Sequence, residues 1–149
     1  MALADSGTLL VLLNIGVPFY SARGLTQTLT PIQAIRNNKN NLRRTIGGTL
    51  LDLTPPQFLK YGSRISATDV APPAINGVFP GTTITVECVA ELAYAVGGSP
   101  TRPEVSGSSV TANGFVFYRP VLAMMVVDLS ESFAEWQGEN NWFIDLEEV

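Results

Sequence analysis

The residues that most often carry enzyme chemistry are scarce in this chain. It contains no histidine, which excludes Ser-His-Asp and Cys-His nucleophilic mechanisms and removes the commonest zinc ligand. The one cysteine, Cys88, lies in the alternating run TTITVECVAELAY, residues 82–94, in phase with its apolar residues. We therefore expect Cys88 to be a small core residue rather than a nucleophile, because an active thiol needs exposure and a basic neighbour.

Pairs of carboxylates are the next candidates for chemistry. Glu87 and Glu91 are four residues apart, about 13 Å along a strand, which is too far for a glycosidase pair unless another strand contributes. Asp145, Glu147 and Glu148 would suit calcium, but no EF-hand-like spacing with a central glycine accompanies them. The sequence thus predicts no catalytic residue, no cofactor and no metal site, and it leaves calcium binding open.

A cluster of positive charge occupies RNNKNNLRR, residues 36–44. Its four basic residues are Arg36, Lys39, Arg43 and Arg44. Asparagines favour turns over helices, so we expect an exposed loop that leads into a hairpin. The run has no aromatic residue for base stacking, and the net charge of −4 argues against general nucleic-acid binding. A solvated loop, or one that docks on an acidic neighbour, is the better interpretation.

Charge is divided unevenly along the chain. Up to Arg64 there are seven basic and two acidic residues, whereas from Ile65 onward there are two basic and eleven acidic residues. If strands from both halves intermix in one domain, much of this charge pairs within the molecule. Alternatively, the basic and acidic patches lie on opposite surfaces, and copies of the chain attract one another head to tail.

Aromatic residues near the C-terminus allow two interpretations. They are Phe133, Trp136, Trp142 and Phe143. Together they could form a sugar-stacking platform, whereas burial in the core of a β-sandwich is the commoner fate of such residues. Alternation also places Phe115 and Phe117 on one face of a strand, which predicts that both belong to the core.

The sequence pattern predicts that strands separated by turns position these residues. Besides 82–94, we predict strands at 8–15, 25–30, about 63–68, 114–129 and 141–149. The segment 114–129 is either one strand bent at Pro120 or two strands. LRRTIGGTLLDL predicts a hairpin with a two-residue turn at Gly47-Gly48, and TPPQFLKY predicts a short helical turn.

Helical periodicity is weak, and only residues 30–41 and 130–138 could hold a turn or two of helix. The longest loops are expected at 36–41, 69–81 and 96–113. This pattern predicts an all-β fold, an antiparallel β-sandwich or barrel with long loops and at most short helical turns, as a single domain over residues 1–149. No signal peptide is evident, and the apolar run 9–13 is too short to span a membrane.

Several segments of the sequence resemble small β-rich structural proteins of tailed bacteriophages. They are YSARGLTQTLTPI (20–32), LRRTIGGTLLDLTPPQFLKYGSRIS (42–66), and PGTTITVECVAELAY (80–94) with the closing IDLEEV. The resemblance implies a non-enzymatic virion protein: a tail or baseplate component, a head–tail connector or a capsid decoration protein. It also implies synthesis in the host cytoplasm without a signal peptide, and residence in the virion. The implied partners are other copies of the chain and other virion proteins, with no specific nucleic acid, no membrane span and no small-molecule substrate.

In this interpretation the 36–44 loop, the 96–113 loop and the C-terminal acids form contacts between subunits. The candidate contact residues are Arg36, Lys39, Arg43, Arg44, Arg102, Glu104, Asp145, Glu147 and Glu148. The alternative is a carbohydrate-binding β-sandwich module, which the tryptophans and long loops favour. An enzyme ranks third and would require acids from different strands to converge in a deep pocket.

Overall fold

The computed structural model describes residues 11–12, 23–32, 41–70 and 72–149. These ranges form an antiparallel β structure, which confirms the all-β fold expected from the sequence. The strands are β1 (Val11–Leu12), β2 (Arg23–Pro31), β3 (Leu42–Arg44), β4 (Leu50–Asp52), β5 (Tyr61–Asp69), β6 (Thr83–Glu87), β7 (Leu92–Ala95), β8 (Val110–Ala112), β9 (Phe115–Tyr118), β10 (Val121–Ala134) and β11 (Glu139–Glu148). Within these ranges, no helix has both the length and the apolar character to cross a membrane.

Six strands form the main sheet, in the order β1-β6-β10-β11-β5-β2, and all neighbours are antiparallel. The alternating strand predicted at 141–149 is confirmed as β11, because Trp142, Ile144 and Leu146 are all buried. Ile65 of β5 pairs with Ile144 and is also buried. One face of the sheet therefore carries the core, and the loop after β5 covers part of that core with Ile75 and Val78.

The main sheet curls around this core. Gln27 of β2 accepts hydrogen bonds through its Oε1 from the backbone N–H groups of Val89, at 2.6 Å, and Ala90, at 3.3 Å. These two residues directly follow β6, which is separated from β2 by three strands in the sheet order. Leu25 and Leu29 of β2 pack against the same core cluster that contains residues of β6. The sheet is thus barrel-like, as the predicted fold class allowed.

The prediction of one continuous strand at 82–94 is wrong. The chain leaves the main sheet after β6, and β7 belongs to a separate three-stranded sheet of order β7-β9-β8. The N–H of Cys88 donates to the carbonyl of Pro120, and the N–H groups of Val89 and Ala90 donate to the side chain of Gln27. These three backbone groups therefore have hydrogen-bond partners although they are not part of a strand pair. Cys88 itself is fully buried, which confirms its placement in the core.

The region around Pro120 confirms one prediction and corrects two. The chain does split there into β9 and β10. However, β8 lies inside the loop predicted at 96–113, and it pairs with β9 across a two-residue turn at Asn113-Gly114, where both residues have positive φ. Phe115 is 49% exposed rather than buried, and Tyr118 is the fully buried aromatic residue of β9.

The helical turn predicted at 130–138 is also wrong. β10 continues to Ala134, and its last residues pair with the first residues of β11 before a turn that contains Trp136. Long-range pairing with β11 therefore outweighs the weak local preferences of this serine- and glutamate-containing segment. The other predicted helical turn, at 30–41, falls partly on β2, which includes Thr30 and Pro31, and residues 33–40 lie outside the described ranges.

The predicted hairpin in LRRTIGGTLLDL is confirmed as β3 and β4, but its turn is longer than expected. The N–H of Thr45 donates to the carbonyl of Thr49, and the N–H of Gly48 donates to the carbonyl of Thr45. Gly48 has φ of 86°, so Ile46, Gly47 and Gly48 form a three-residue connection that ends in a left-handed glycine. A turn of 3-10 helix, Pro56–Phe58, follows the hairpin and confirms the helical turn predicted for TPPQFLKY.

Candidate functional site

The β3–β4 hairpin projects from the molecule and is exposed along its whole length. Each residue from Leu42 to Leu53 is exposed, on both faces of the hairpin and at its tip. We call this segment, residues 42–53, the arm. Buried apolar side chains normally hold an antiparallel pair in place, and a two-stranded hairpin alone is marginally stable in water. The arm is therefore the part of the described chain that most clearly lacks a packing partner.

The arm combines apolar and basic side chains. Its exposed large apolar residues are Leu42, Ile46, Leu50, Leu51 and Leu53. The strand register places Arg44 opposite Leu50 on one face, and Arg43 opposite Leu51 on the other. Each face therefore carries a guanidinium beside a leucine, which suits a partner surface that is both apolar and acidic.

Local hydrogen bonds give the arm a defined shape. Nη1 of Arg44 donates to the carbonyl of Gly48 at 2.9 Å, which ties this strand to the turn. Asp52 accepts a hydrogen bond from the N–H of Thr54 at 2.9 Å. Hydrogen bonds from Thr54, first from its side chain and then from its backbone, hold the pKa of Asp52 below its ordinary value. The arm is thus ordered locally although little of it is packed.

A groove of about 770 Å³ lies at the base of the arm. It is lined by Ile32, Asn41, Leu53, Thr54, Pro55, Gln57, Phe58, Lys60, Glu148 and Val149. Backbone hydrogen bonds from Leu53 to Asn41 and from Ile32 to Lys60 hold its two sides together. Exposed apolar surface therefore continues from the arm into a concave region beside the main sheet.

An internal ion pair fixes this base. Nε of Arg102 donates to Oε1 of Glu148 at 2.8 Å, and Nη2 donates to Oε2 at 3.1 Å. The same Nη2 donates to the carbonyl of Leu59 at 2.9 Å, while Oε2 of Glu148 accepts from the N–H of Tyr61 at 3.0 Å. The hydrogen bonds to Glu148 raise the pKa of Arg102. The pair thus joins the 96–109 loop, the end of β11 and the start of β5.

The outer face of the main sheet carries a second notable group of residues. A β-bulge in β10, between Val126 and Asp128, exposes both Val127 and Asp128 on this face. Asp128 lies directly opposite Asp145 of β11 in the strand register. On the other side of Asp145, Nε of Arg64 approaches its Oδ1 at 3.6 Å. Two carboxylates therefore share a neighbourhood with one largely exposed guanidinium.

The predicted contact residues within the described ranges lie in four separate places. Arg36 and Lys39 lie outside the described residues, and Arg43 and Arg44 lie on the arm. Arg102 and Glu148 are bound to each other, with side chains only 20% and 10% exposed. Asp145 and Glu147 belong to the outer face, and Glu104 forms an isolated bridge with Pro120. Their role in subunit contacts stays a prediction.

The four aromatic residues proposed as a sugar platform do not share one surface. Trp142 is 3% exposed and belongs to the core, whereas Trp136 is 97% exposed at the turn between β10 and β11. Phe133, near that turn, is 64% exposed. Phe143 lies under the guanidinium of Arg64, whose Cζ is 4.2 Å from the ring centroid. At most Trp136 and Phe133 are placed to stack on a ligand from solvent.

Groups with potential chemistry are few among the described residues. Burial raises the pKa of the Cys88 thiol to about 11, which opposes formation of a thiolate at neutral pH. Glu87 and Glu91 do not share a strand, since Glu91 lies between β6 and β7. No group of three or more potential metal-ligating side chains occurs in the ranges that the structure describes.

Sequence reasoning missed the apolar residues of the arm. The signal was available in TLLDL, because two adjacent leucines in one strand must point to opposite faces of the hairpin. A two-stranded hairpin can bury at most one face against its own domain, so Leu50 and Leu51 together indicate an exposed apolar face.

No protein-family model, no curated protein and no solved structure matches this chain.

Proposed function

We propose that this chain is a non-enzymatic virion structural protein of a tailed bacteriophage. It acts as a building block of the tail or baseplate, of the head–tail connector or of the capsid surface, and it assembles through protein–protein contacts. The observation that carries the proposal is the arm, whose residues 42–53 are all exposed while including five large apolar side chains. The resemblance of several sequence segments to phage structural proteins supplies the biological setting.

The energetics of the arm favour an assembly role. Burying one leucine side chain contributes roughly 1.5–3 kcal/mol, so covering several of the arm's apolar residues would offset a large part of the entropic cost of association. Each strand of the arm also has one edge that faces away from its hairpin partner. Such edges can pair with a strand of another molecule.

The proposal is tested by locating the protein in purified particles. Antibodies raised against the purified chain and coupled to gold should label phage particles from the source lysate at a single place, such as the tail tip, the neck or the head surface. A variant with Leu50→Ser and Leu51→Ser should be lost from particles, whereas the matched control Val110→Ser, at another exposed strand position, should be retained. Particles that contain none of the protein would contradict the proposal.

A carbohydrate-binding module is the second candidate, and the exposure of Trp136 and Phe133 is the observation that favours it. The chain has two tryptophans, of which only Trp136 is exposed. Saturable fluorescence quenching by a sugar that is abolished by Trp136→Ala would support this candidate. No saturable quenching across a panel of bacterial surface glycans would remove it.

A further inference from the structure

We propose that the arm of one copy docks on the outer sheet face of a second copy, over a patch formed by Met125, Val127, Asp128 and Asp145. This inference rests on the proposed function, and it names the partner of the arm. The partner is therefore the same chain, and the two surfaces that meet are different surfaces.

The patch offers apolar contact area. Met125 and Val127 are 39% and 46% exposed on β10, although most other large apolar residues of the main sheet are buried. The bulge brings Val127 to the surface beside Asp128. A depression of about 300 Å³ lies next to Val127 and is also lined by Gly62, Thr28 and Thr30. Ile46, fully exposed at the tip of the arm, is an apolar side chain that can enter such a depression.

The patch also offers negative charge with incomplete compensation. Asp128 and Asp145 occupy directly opposed positions on neighbouring strands, an arrangement that destabilises a sheet when both are charged. Among the ion pairs of the described residues, only one involves either aspartate, and its basic partner is Arg64. At 3.6 Å from Asp145, the largely exposed Arg64 contributes only weakly. A further guanidinium from outside would relieve this repulsion.

The arm supplies such a guanidinium next to apolar side chains. Arg43 lies opposite Leu51, and Arg44 lies opposite Leu50. Arginine binds carboxylates with two parallel hydrogen bonds, and neighbouring leucines would exclude water from them. The patch has the complementary combination, two carboxylates beside Met125 and Val127. Both the sign of the charge and the apolar character therefore match.

The geometry makes this contact heterologous. The patch of a given copy does not cover its own arm, because every residue of the arm is exposed. After a single contact, the pair of copies therefore retains one free arm, on the copy whose patch is occupied, and one free patch, on the other copy. Interfaces of this kind extend into closed rings or open chains, the forms expected of a repeated virion component.

The test uses two full-length variants that each damage one side of the contact. The arm variant carries Arg43→Gln and Arg44→Gln, which remove the arm's positive charge without making it complementary to a basic patch, and the patch variant carries Asp128→Arg. The matched control is Glu135→Arg, which makes the same acid-to-base change at an exposed residue of the β10–β11 turn. Circular dichroism confirms that each variant is folded, which we expect because all the substituted residues are exposed.

Sedimentation velocity then distinguishes the outcomes. We expect the wild type and the control to associate beyond dimers, and each single-sided variant to weaken association roughly tenfold or more. An equimolar mixture of the two variants should form a dimer that grows no further, since it contains one intact arm against one intact patch. A mixture that stays monomeric, or an arm variant that associates like the wild type, would overturn the proposal.

The same variants separate this inference from the proposed function. If the arm variant self-associates normally yet is missing from particles, the arm binds another virion protein, so the self-docking inference fails and the proposed function stands. If the protein is absent from particles although the mixture forms the expected dimer, the proposed function fails and the self-docking inference stands. Weakening of wild-type association at raised salt should accompany the expected result.

Discussion

Arg102 and Glu148 hold each other through two hydrogen bonds, at 2.8 Å and 3.1 Å, at the point where the base of the arm meets the main sheet. Neither side chain is free to act as a solvent-exposed charge, because the arginine also binds the carbonyl of Leu59 and the carboxylate binds the N–H of Tyr61. These four hydrogen bonds tie the 96–109 loop, the end of β11 and the start of β5 together beside the base of the arm.

Breaking this ion pair should cost stability. We expect Arg102→Leu to lower the free energy of unfolding by about 2 kcal/mol, because it leaves the mostly buried Glu148 without its charged partner. Urea denaturation measures the change. Arg64→Leu is the matched control, and it should cost less, about 1 kcal/mol or below, since the Arg64–Asp145 pair is longer and more exposed and the contact with Phe143 lies at the surface. Equal losses for the two variants would contradict the role assigned to Arg102.

The curl of the main sheet depends on the side chain of Gln27. Gln27→Leu should lower the free energy of unfolding by roughly 1–3 kcal/mol, because the N–H groups of Val89 and Ala90 lose their acceptor. Gln27→Glu keeps an acceptor oxygen at this position and should retain more of the stability. Thermal unfolding followed by circular dichroism compares the three proteins, and a leucine variant as stable as the wild type would exclude the bracing role.

Burial of Cys88 should make stability depend on alkaline pH. Burial raises the pKa of this thiol from 9.0 to about 11, so the folded state holds the proton more tightly than the unfolded state. The resulting stabilisation is complete below pH 9 and is lost as the pH rises towards 11, at up to about 1.4 kcal/mol per pH unit. The difference in unfolding free energy between wild type and Cys88→Ala isolates this contribution from other titrating groups. A difference that does not change with pH in this range would contradict the assignment.

Asn140 should be replaceable with a gain in stability. Its side chain is 1% exposed, and neither Nδ2 nor Oδ1 has a hydrogen-bond partner among the described residues. Because an unpaired buried amide is costly, Asn140→Leu should raise the free energy of unfolding by about 1 kcal/mol. Chemical denaturation measures this, and a clear loss of stability would show that the amide has a partner in solution.

The sequence predicted the parts of the fold that local patterns specify. Alternation identified β11, and glycines in TIGGTL identified the β3–β4 hairpin. The Asn113-Gly114 turn has an equally strong local signal, since Asn-Gly favours a two-residue hairpin turn, although the predicted boundary between the 96–113 loop and the 114–129 strand falls within it.

Other features depended on distant residues and could not be predicted in this way. The alternating pattern of TTITVECVAELAY extends past Cys88, but the chain leaves the main sheet there, where Pro120 accepts a hydrogen bond from the N–H of Cys88 and Gln27 accepts from the next two N–H groups. The opposition of Asp128 and Asp145 depends on the bulge in β10 and on its register with β11. Pairings of this kind are set by tertiary structure, so the sequence indicates Arg43, Arg44 and Asp145 as candidate contact residues without showing which surfaces they form.

The central claim is that copies of this chain associate with one another through the arm, and sedimentation velocity over a range of protein concentrations tests it most directly. The account predicts that the sedimentation coefficient of the wild type rises with concentration, while the Leu50→Ser, Leu51→Ser variant remains a folded monomer. A wild type that stays monomeric at its highest soluble concentration and low salt, or a variant that associates as the wild type does, would contradict the account.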